Sequence, residues 1–275
     1  MIQYKRWPTI LRYAVLIVVS IIILFPLYVL IATSFKTRIQ TFTIPPKLFF
    51  VPTVQNYKAI LFDDKFAMYL WNSIIVASAT AFFSVTIGAF AAYALTRFRF
   101  MGRRVISTMT LLMRMVPPAV LIVPLFLLWF KLGIGNSRTG LIFAYLGLNL
   151  SFSIWILRSF MAEIPIEIEE SALIDGCSEM AILFRIVFPL IKPGIAVASI
   201  FVFRIAWNEF ILALVLTNRM SRTLPVGLSL KMTDIGVKWG EMTAMATIIA
   251  IPAVIFAFLS ARSIIRGLTA GAVKG

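Results

Sequence analysis

The sequence has no histidine and a single cysteine, Cys177. Without imidazole there is no Ser–His or Cys–His pair for nucleophilic catalysis, and a His/Cys zinc cluster is disfavoured. One thiol closes no internal disulfide, so the redox compartment leaves no trace. No G-x-x-x-x-G-K-[ST] loop occurs, so the chain is not itself a P-loop ATPase. A TVGYG filter is also missing, which argues against a potassium channel. No internal repeat of roughly 20–50 residues is visible, and no polar stretch is long enough to form a separate soluble domain. Charge is scarce as well: 13% of the residues are charged, and only 11 are acidic.

What fills the chain instead is apolar. It is 61% hydrophobic over 275 residues, with a mean hydropathy of +0.97, the composition of a polytopic membrane protein. The net charge of +15 would suggest nucleic acid in a soluble protein. Here the Lys and Arg residues flank apolar runs, where they set orientation, so no nucleic-acid partner is expected.

Six spans are predicted, at about 11–33, 71–95, 105–130, 141–161, 194–217 and 242–261, within one permease domain covering 1–275. The first follows Lys5, Arg6 and Arg12, lacks an A-x-A cleavage site after it, and is read as uncleaved and bent at Pro26. Between the first two spans lies an external segment with Pro45, Pro46, Pro52 and the pair Asp63–Asp64. In the second span Ser84, Gly88 and Ala92 recur every fourth residue, which lets another helix approach closely, whether in this chain or in another. The short basic loop RFRFMGRR, residues 97–104, marks the cytoplasmic side. Pro117, Pro118 and Pro124 break the third span. An even number of spans puts both termini in the cytoplasm. The expected fold is therefore all-α, six transmembrane helices with a cytoplasmic hairpin.

That hairpin spans 163–193, and it holds six of the 11 acidic residues. Pro165 suits a first helical position, and Glu167, Glu169 and Glu170 suit the positive end of a helix dipole. Gly176 can take the left-handed conformation that stops the helix, and Ser178 can cap a second one. In that second helix Met180, Leu183, Phe184, Val187 and Phe188 share one apolar face, and Pro189 ends it.

Glu170, Ser171 and Ala172, then three residues, Gly176, nine residues, and Ile186 to Pro189 resemble the EAA loop of ATP-binding-cassette importer permeases. The family pattern is E-A-A, Gly, I-x-L-P at these spacings, and Ser171 and Phe188 depart mildly from it. The resemblance implies that the hairpin seats in a cleft of a separate ATPase. Glu170 would offer its carboxylate to a basic partner. Gly176 would keep the turn tight, with Asp175 beside it. Met180, Leu183, Phe184, Ile186 and Val187 would supply grip, up to Pro189.

Further stretches are similar to the carbohydrate branch, in its six-span, maltose-type form: FPLYVLIATSFK, NSIIVA, the third-span prolines, AWNEF and the closing GLTAGAVKG. That resemblance implies a second, related permease subunit, two copies of the ATPase holding ATP and Mg²⁺, an external substrate-binding protein, and a bacterial cytoplasmic membrane. No cofactor is expected on this chain. Its tail would reach toward the ATPase pair.

Arg114 and Arg204 each lie about 15 Å into a span by helix rise. An arginine at that depth must face water or a partner. Glu209 is five residues from Arg204, on a different side of the helix, so each is expected to meet another helix. Two readings stand: structural pairing, or contact with an anionic sugar, whether sulfonated, phosphorylated or acidic. Asn149, Arg204, Trp207 and Asn208, with Arg114 and Glu209, are the candidate substrate-pathway residues. The competing class is a stand-alone secondary transporter or channel, which would need Glu209 as its coupling-ion site. A membrane enzyme is remote.

Overall fold

In the computed structural model, residues 9–233 and 236–272 are described. In chain order the helices are α1 (Thr9–Ser34), α2 (Arg38–Thr41), α3 (Gln55–Leu61), α4 (Asp64–Arg97) and α5 (Arg103–Met113). A 3₁₀ turn at Pro118–Leu121 leads into α6 (Ile122–Lys131), followed by α7 (Arg138–Ala162), α8 (Ile166–Ile174) and α9 (Glu179–Ile182). A π-turn at Leu183–Val187 joins α9 to α10 (Phe188–Leu190), and α11 (Lys192–Asn208), α12 (Ile211–Leu216) and α13 (Leu224–Ser229) follow. The all-α expectation meets one small exception. Strands β1 (Met232–Thr233) and β2 (Gly236–Val237) form an antiparallel hairpin before α14 (Trp239–Ala272). Residues Lys5 and Arg6 and the last three of the tail lie outside the described residues.

The spans divide into two kinds. Helices within α1, α4, α7 and α14 are long and apolar enough to cross a membrane by themselves. The other two candidates are bent pairs. The predicted third span is α5 and α6, which meet at 101°. Arg114 to Pro117 separate them, because Pro117 and Pro118 cannot continue an α-helical ladder. The predicted fifth span is also interrupted: α11 stops at Asn208 and α12 starts at Ile211. Its N-terminal end bends by 72° from the helical run Glu179–Leu190. Pro26, by contrast, sits inside an unbroken α1.

Contacts group the chain into two units. One comprises residues 1–66 and 228–251, and the other 67–227 and 252–275. In the first, apolar α1 side chains are exposed along almost the whole helix, which only lipid or another protein makes tolerable. The segment after α1 is tied down by polar bonds. Asn56 Nδ2 donates to the Ser34 and Lys36 carbonyls at 2.9 and 2.8 Å. Lys231 bridges Asp63 and Glu241 at 3.4 and 2.9 Å. Burial works against the Asp63 charge, but the Lys65 N–H and the Lys231 ammonium outweigh it and hold its carboxyl below the ordinary range.

In the second unit α7 is the central element. Gly88 on α4 lies against it so closely that an added Cβ would fall 2.7 Å from Ser153 Cβ. Ser84, Gly88 and Ala92 are all buried, so the small-residue stripe serves packing inside this chain. On another side Gly194 of α11 sits under Phe160, with 2.5 Å available for a Cβ. Asn72 Nδ2 donates to the Met220 and Arg222 carbonyls, and the Leu224 N–H donates to Ser73 Oγ, fastening the loop before α13 to α4.

The Gly88 contact makes a prediction. Gly88→Ala should cost about 1–3 kcal/mol by overpacking, read as a lower thermal unfolding midpoint of the detergent-purified chain. An unchanged midpoint would refute the close approach.

Candidate functional site

The hairpin is built much as its residues dictate. Helix α8 begins at Ile166, one residue later than expected, with Pro165 at the N-cap position. Gly176 has φ +81°, a conformation that costs a residue with a Cβ. Behind it the Cys177 N–H reaches back to the Ala172 carbonyl at 3.0 Å, closing the helix end. Ser178 Oγ accepts from the Ala181 N–H at 3.3 Å and starts the second arm.

Pro189 does not end that arm, which continues to Leu190. Pro189 has no N–H for the carbonyl four residues back. The backbone absorbs the deficit in the π-turn, where the Phe188 N–H bonds to the Leu183 carbonyl. Leu183 and Val187, expected to be open to a partner, are instead 3% and 0% exposed. They lie in a cluster with Ala89, Ala92 and Tyr93 of α4 and Leu157 and Met161 of α7. Ile186 packs against the same cluster. Phe184 is half exposed, but its ring contacts Phe90 and Phe188 at centroid distances of 6.0 and 5.2 Å.

The base of the hairpin holds an interaction that the sequence reading passed over. Arg97, the last residue of α4, pairs with Glu169 at 2.6 Å, and both side chains are about nine-tenths buried. The Tyr93 hydroxyl donates to the other Glu169 oxygen at 3.0 Å. Arg97 also donates to the Met161 and Ile164 carbonyls at 3.2 and 3.0 Å. One guanidinium thus joins α4, the end of α7 and α8. The motif directed attention to Glu170, the next residue. Yet Ile168–Ala172 alternates around a short helix, so one of two adjacent glutamates had to turn inward toward a cation.

The tip is left free. Glu170, Ser171, Asp175 and Gly176 are exposed, and Ala172 is buried. The apolar side chains on offer are Leu173, Ile174 and Met180, at 50%, 87% and 59% exposure. Leu173 and Ile174 were not anticipated, because they fill the unspecified positions between Ala172 and Gly176.

The other predicted residues divide between a cavity and the protein interior. A cavity of about 230 Å³ is lined by Arg114, Asn149 and Glu209, with Tyr145, Phe152 and Ile205. Arg114, freed by the α5 break, lies over the rings of Phe152 and Trp155 at 5.1 and 4.8 Å. Among the described residues neither Arg114 nor Arg204 has a carboxylate within ion-pair distance. Asn149 turns its amide N–H₂ to the Tyr145 carbonyl.

Glu209 occupies the gap between α11 and α12. Its oxygens accept from the Tyr145 hydroxyl at 2.5 Å and from the Leu212 and Ala213 N–H groups at 2.9 and 3.1 Å. It therefore satisfies the first turn of the broken helix. Trp207 is buried and stacked on Phe203 at 5.6 Å, so it is not presented to a ligand here. Arg204 and Asn208 are exposed and lie outside the cavity, and Arg204 rests over Phe201 at 5.7 Å.

Comparison with known proteins decides the family. Residues 84–270 match the binding-protein-dependent transport system inner membrane component. The chain belongs to that family. It is 39% identical to the trehalose/maltose transport system permease protein MalG of Thermococcus litoralis, over 94% of both chains. It is 36% identical to the sulfoquinovosyl glycerol transport system permease protein SmoH of Agrobacterium fabrum, over 92% of this chain and 89% of the relative. Its fold matches a chain of a bacterial ABC transporter involved in import of the acidic polysaccharide alginate. The TM-score is 0.77 and the identity 22%, over 92% of this chain and 94% of that one. This inner-membrane component is thus a multi-pass membrane protein, as its hydropathy required, and its resemblance to carbohydrate-importer permeases holds over nearly its whole length.

The buried ion pair makes a prediction for the family member in hand. Removing one partner leaves an uncompensated buried charge, so Arg97→Met or Glu169→Met should each cost about 3–5 kcal/mol. The double variant should be more stable than either single one. Additive losses in thermal unfolding would show that the two groups act independently.

Proposed function

We propose that this inner-membrane component is the permease subunit of an ATP-binding-cassette importer that brings a sugar or sugar derivative into the cell. The observation that carries the reading is the hairpin: its base is locked into α4 and α7, while its tip offers charge and apolar surface to a partner. A rigid base and an open tip are what a mechanical coupling element needs, and the absent P-loop gives it a task.

In this reading the chain crosses the membrane six times, α5 with α6 and α11 with α12 each counting as one crossing, with both termini in the cytoplasm. The hairpin tip seats in one of two ATPase subunits, which bind ATP and Mg²⁺, while this chain binds no cofactor. A second, related permease completes the pathway, and an external protein delivers the sugar. Ile174 and Met180 supply the grip that Leu183 and Val187, being buried, do not. Helix α14 has 34 residues, about 50 Å by helix rise. It exceeds the hydrocarbon thickness of about 30 Å, so its C-terminal end extends toward the ATPases.

A stand-alone secondary transporter has less support, because three donors already occupy the one acid suited to bind a coupling ion.

The coupling role is tested in the assembled complex. Gly176→Pro is incompatible with φ +81°, and Glu170→Lys inverts the tip charge. Both should leave the protein inserted and ATP hydrolysis active while sugar uptake is lost. Normal uptake in both variants would reject the mechanism.

An anionic sugar as cargo is favoured by Arg114, which lines the cavity and among the described residues has no carboxylate within ion-pair distance, while the Glu209 carboxylate on the same cavity is taken up by the Tyr145 hydroxyl and two backbone N–H groups. Charge-assisted hydrogen bonds contribute about 1.5–3 kcal/mol, so Arg114→Gln should weaken uptake of such a sugar roughly tenfold or more. Transport of a neutral sugar, unchanged in Arg114→Gln and Arg204→Gln, would eliminate the anionic reading.

A further inference from the structure

The basic loop 97–104 does more than mark a side of the membrane. With the start of α5 and the C-terminal part of α7 it borders a cavity of about 500 Å³. Three arginines line it, Arg103, Arg104 and Arg158, together with Ser107 and Thr108. None of the lining residues is acidic. Among the described residues, none of the three arginines has a carboxylate within ion-pair distance. Two of them are held in place by neutral groups: Arg158 donates to Ser107 Oγ, and Arg103 Nη2 to the Thr96 carbonyl at 3.4 Å. Arg104 makes no such bond and is exposed. Gly102, which precedes α5 with φ +90°, brings no capping side chain to the first turn. Uncapped N–H groups add to the attraction for an anion, though the arginines dominate.

Three like charges around one space repel each other unless an anion sits among them. Guanidinium forks and hydroxyls fit phosphate oxygens in particular. The remaining walls are apolar. Phe100, Val105 and Leu111 line the same cavity, and their side chains are between 42% and 60% exposed. Inorganic phosphate has no use for such walls, whereas a phosphate diester carrying acyl chains does.

We infer that this cavity is a binding site for a phosphate-bearing anion, supplied by the headgroup of an anionic phospholipid. The arginines take the phosphate, and Val105, in the first turn of α5, and Leu111, about two turns further along, run beside the first acyl carbons. The placement agrees with the inward basic loop of the proposed topology, on the side where basic pockets between spans meet anionic headgroups.

The test uses the full-length chain in neutral detergent, titrated with short-chain phosphatidylglycerol, short-chain phosphatidylcholine or inorganic phosphate. The readouts are lipid retention in native mass spectrometry and the thermal unfolding midpoint. Neither depends on topology or on transport, so failure here and failure of the importer reading are distinguishable. Phosphatidylglycerol should bind about tenfold or more tightly than phosphatidylcholine. R103Q/R104Q/R158Q should abolish that preference. K131Q/R138Q/R219Q removes the same number of positive charges, all at exposed positions elsewhere, and should retain it. If the first triple variant fails to fold, Arg104→Gln alone, which touches no side-chain hydrogen bond, should reduce the preference. Competition by inorganic phosphate at comparable concentration would retain the phosphate site but assign it to the free ion, overturning the lipid source. Equal binding of the two lipids, or equal losses in both triple variants, would overturn the proposal.

Discussion

The ion pair between Arg97 and Glu169 is the constraint around which the hairpin is arranged. A charge buried to that degree is tolerable only when its partner and its remaining hydrogen bonds are in place. Glu169 has Arg97 and Tyr93, and Arg97 has two carbonyls at the end of α7 besides. The geometry can be satisfied only when α4, α7 and α8 hold one mutual arrangement. Displacing the hairpin without displacing α4 would strand a charge. The aromatic contacts of Phe90 with Phe184 and Phe188 repeat the connection on the second arm. Force applied at Ile174 or Met180 would therefore pass into the membrane helices through stiff contacts rather than dissipate in a hinge.

The same economy of polar groups explains the broken helices. In an apolar surrounding, every free N–H and carbonyl needs a partner. At the α5–α6 break the Arg114, Met115 and Val116 N–H groups turn back to carbonyls three residues earlier, and the α11–α12 break is sealed by Glu209. Both interruptions border one cavity. Non-helical backbone in such a surrounding is tolerated where it borders a cavity inside the protein.

Three features were legible in the sequence because they depend on neighbours a few residues apart. The Gly176 turn, the Ser178 cap and the membrane character follow from local backbone preference and hydropathy. The packing role of Ser84, Gly88 and Ala92 was only half legible, since the spacing says that a helix comes close but not which one. Glu169 was missed because its partner lies 72 residues earlier, and no local rule links them. Leu183 and Val187 share a face as their spacing requires, but that face meets α4 and α7 rather than a partner, and helical periodicity does not say what a face will meet. Trp207 looked available to a ligand until its burial against Phe203 was known.

By itself the sequence determined that the chain lives in a membrane and that it carries no ATPase loop. It also determined that a turn with Gly176 at its apex separates two helical arms. Those properties are summed over residues or confined to a few adjacent ones. Only the tertiary structure decided which glutamate is buried and which faces outward, and which apolar side chains remain at the tip. It alone gathered Arg114, Asn149 and Glu209 about one cavity while leaving Arg204 outside. Burial and cavity formation depend on contacts between distant segments, and the hydrophobic pattern of one segment specifies a face without naming what that face will meet.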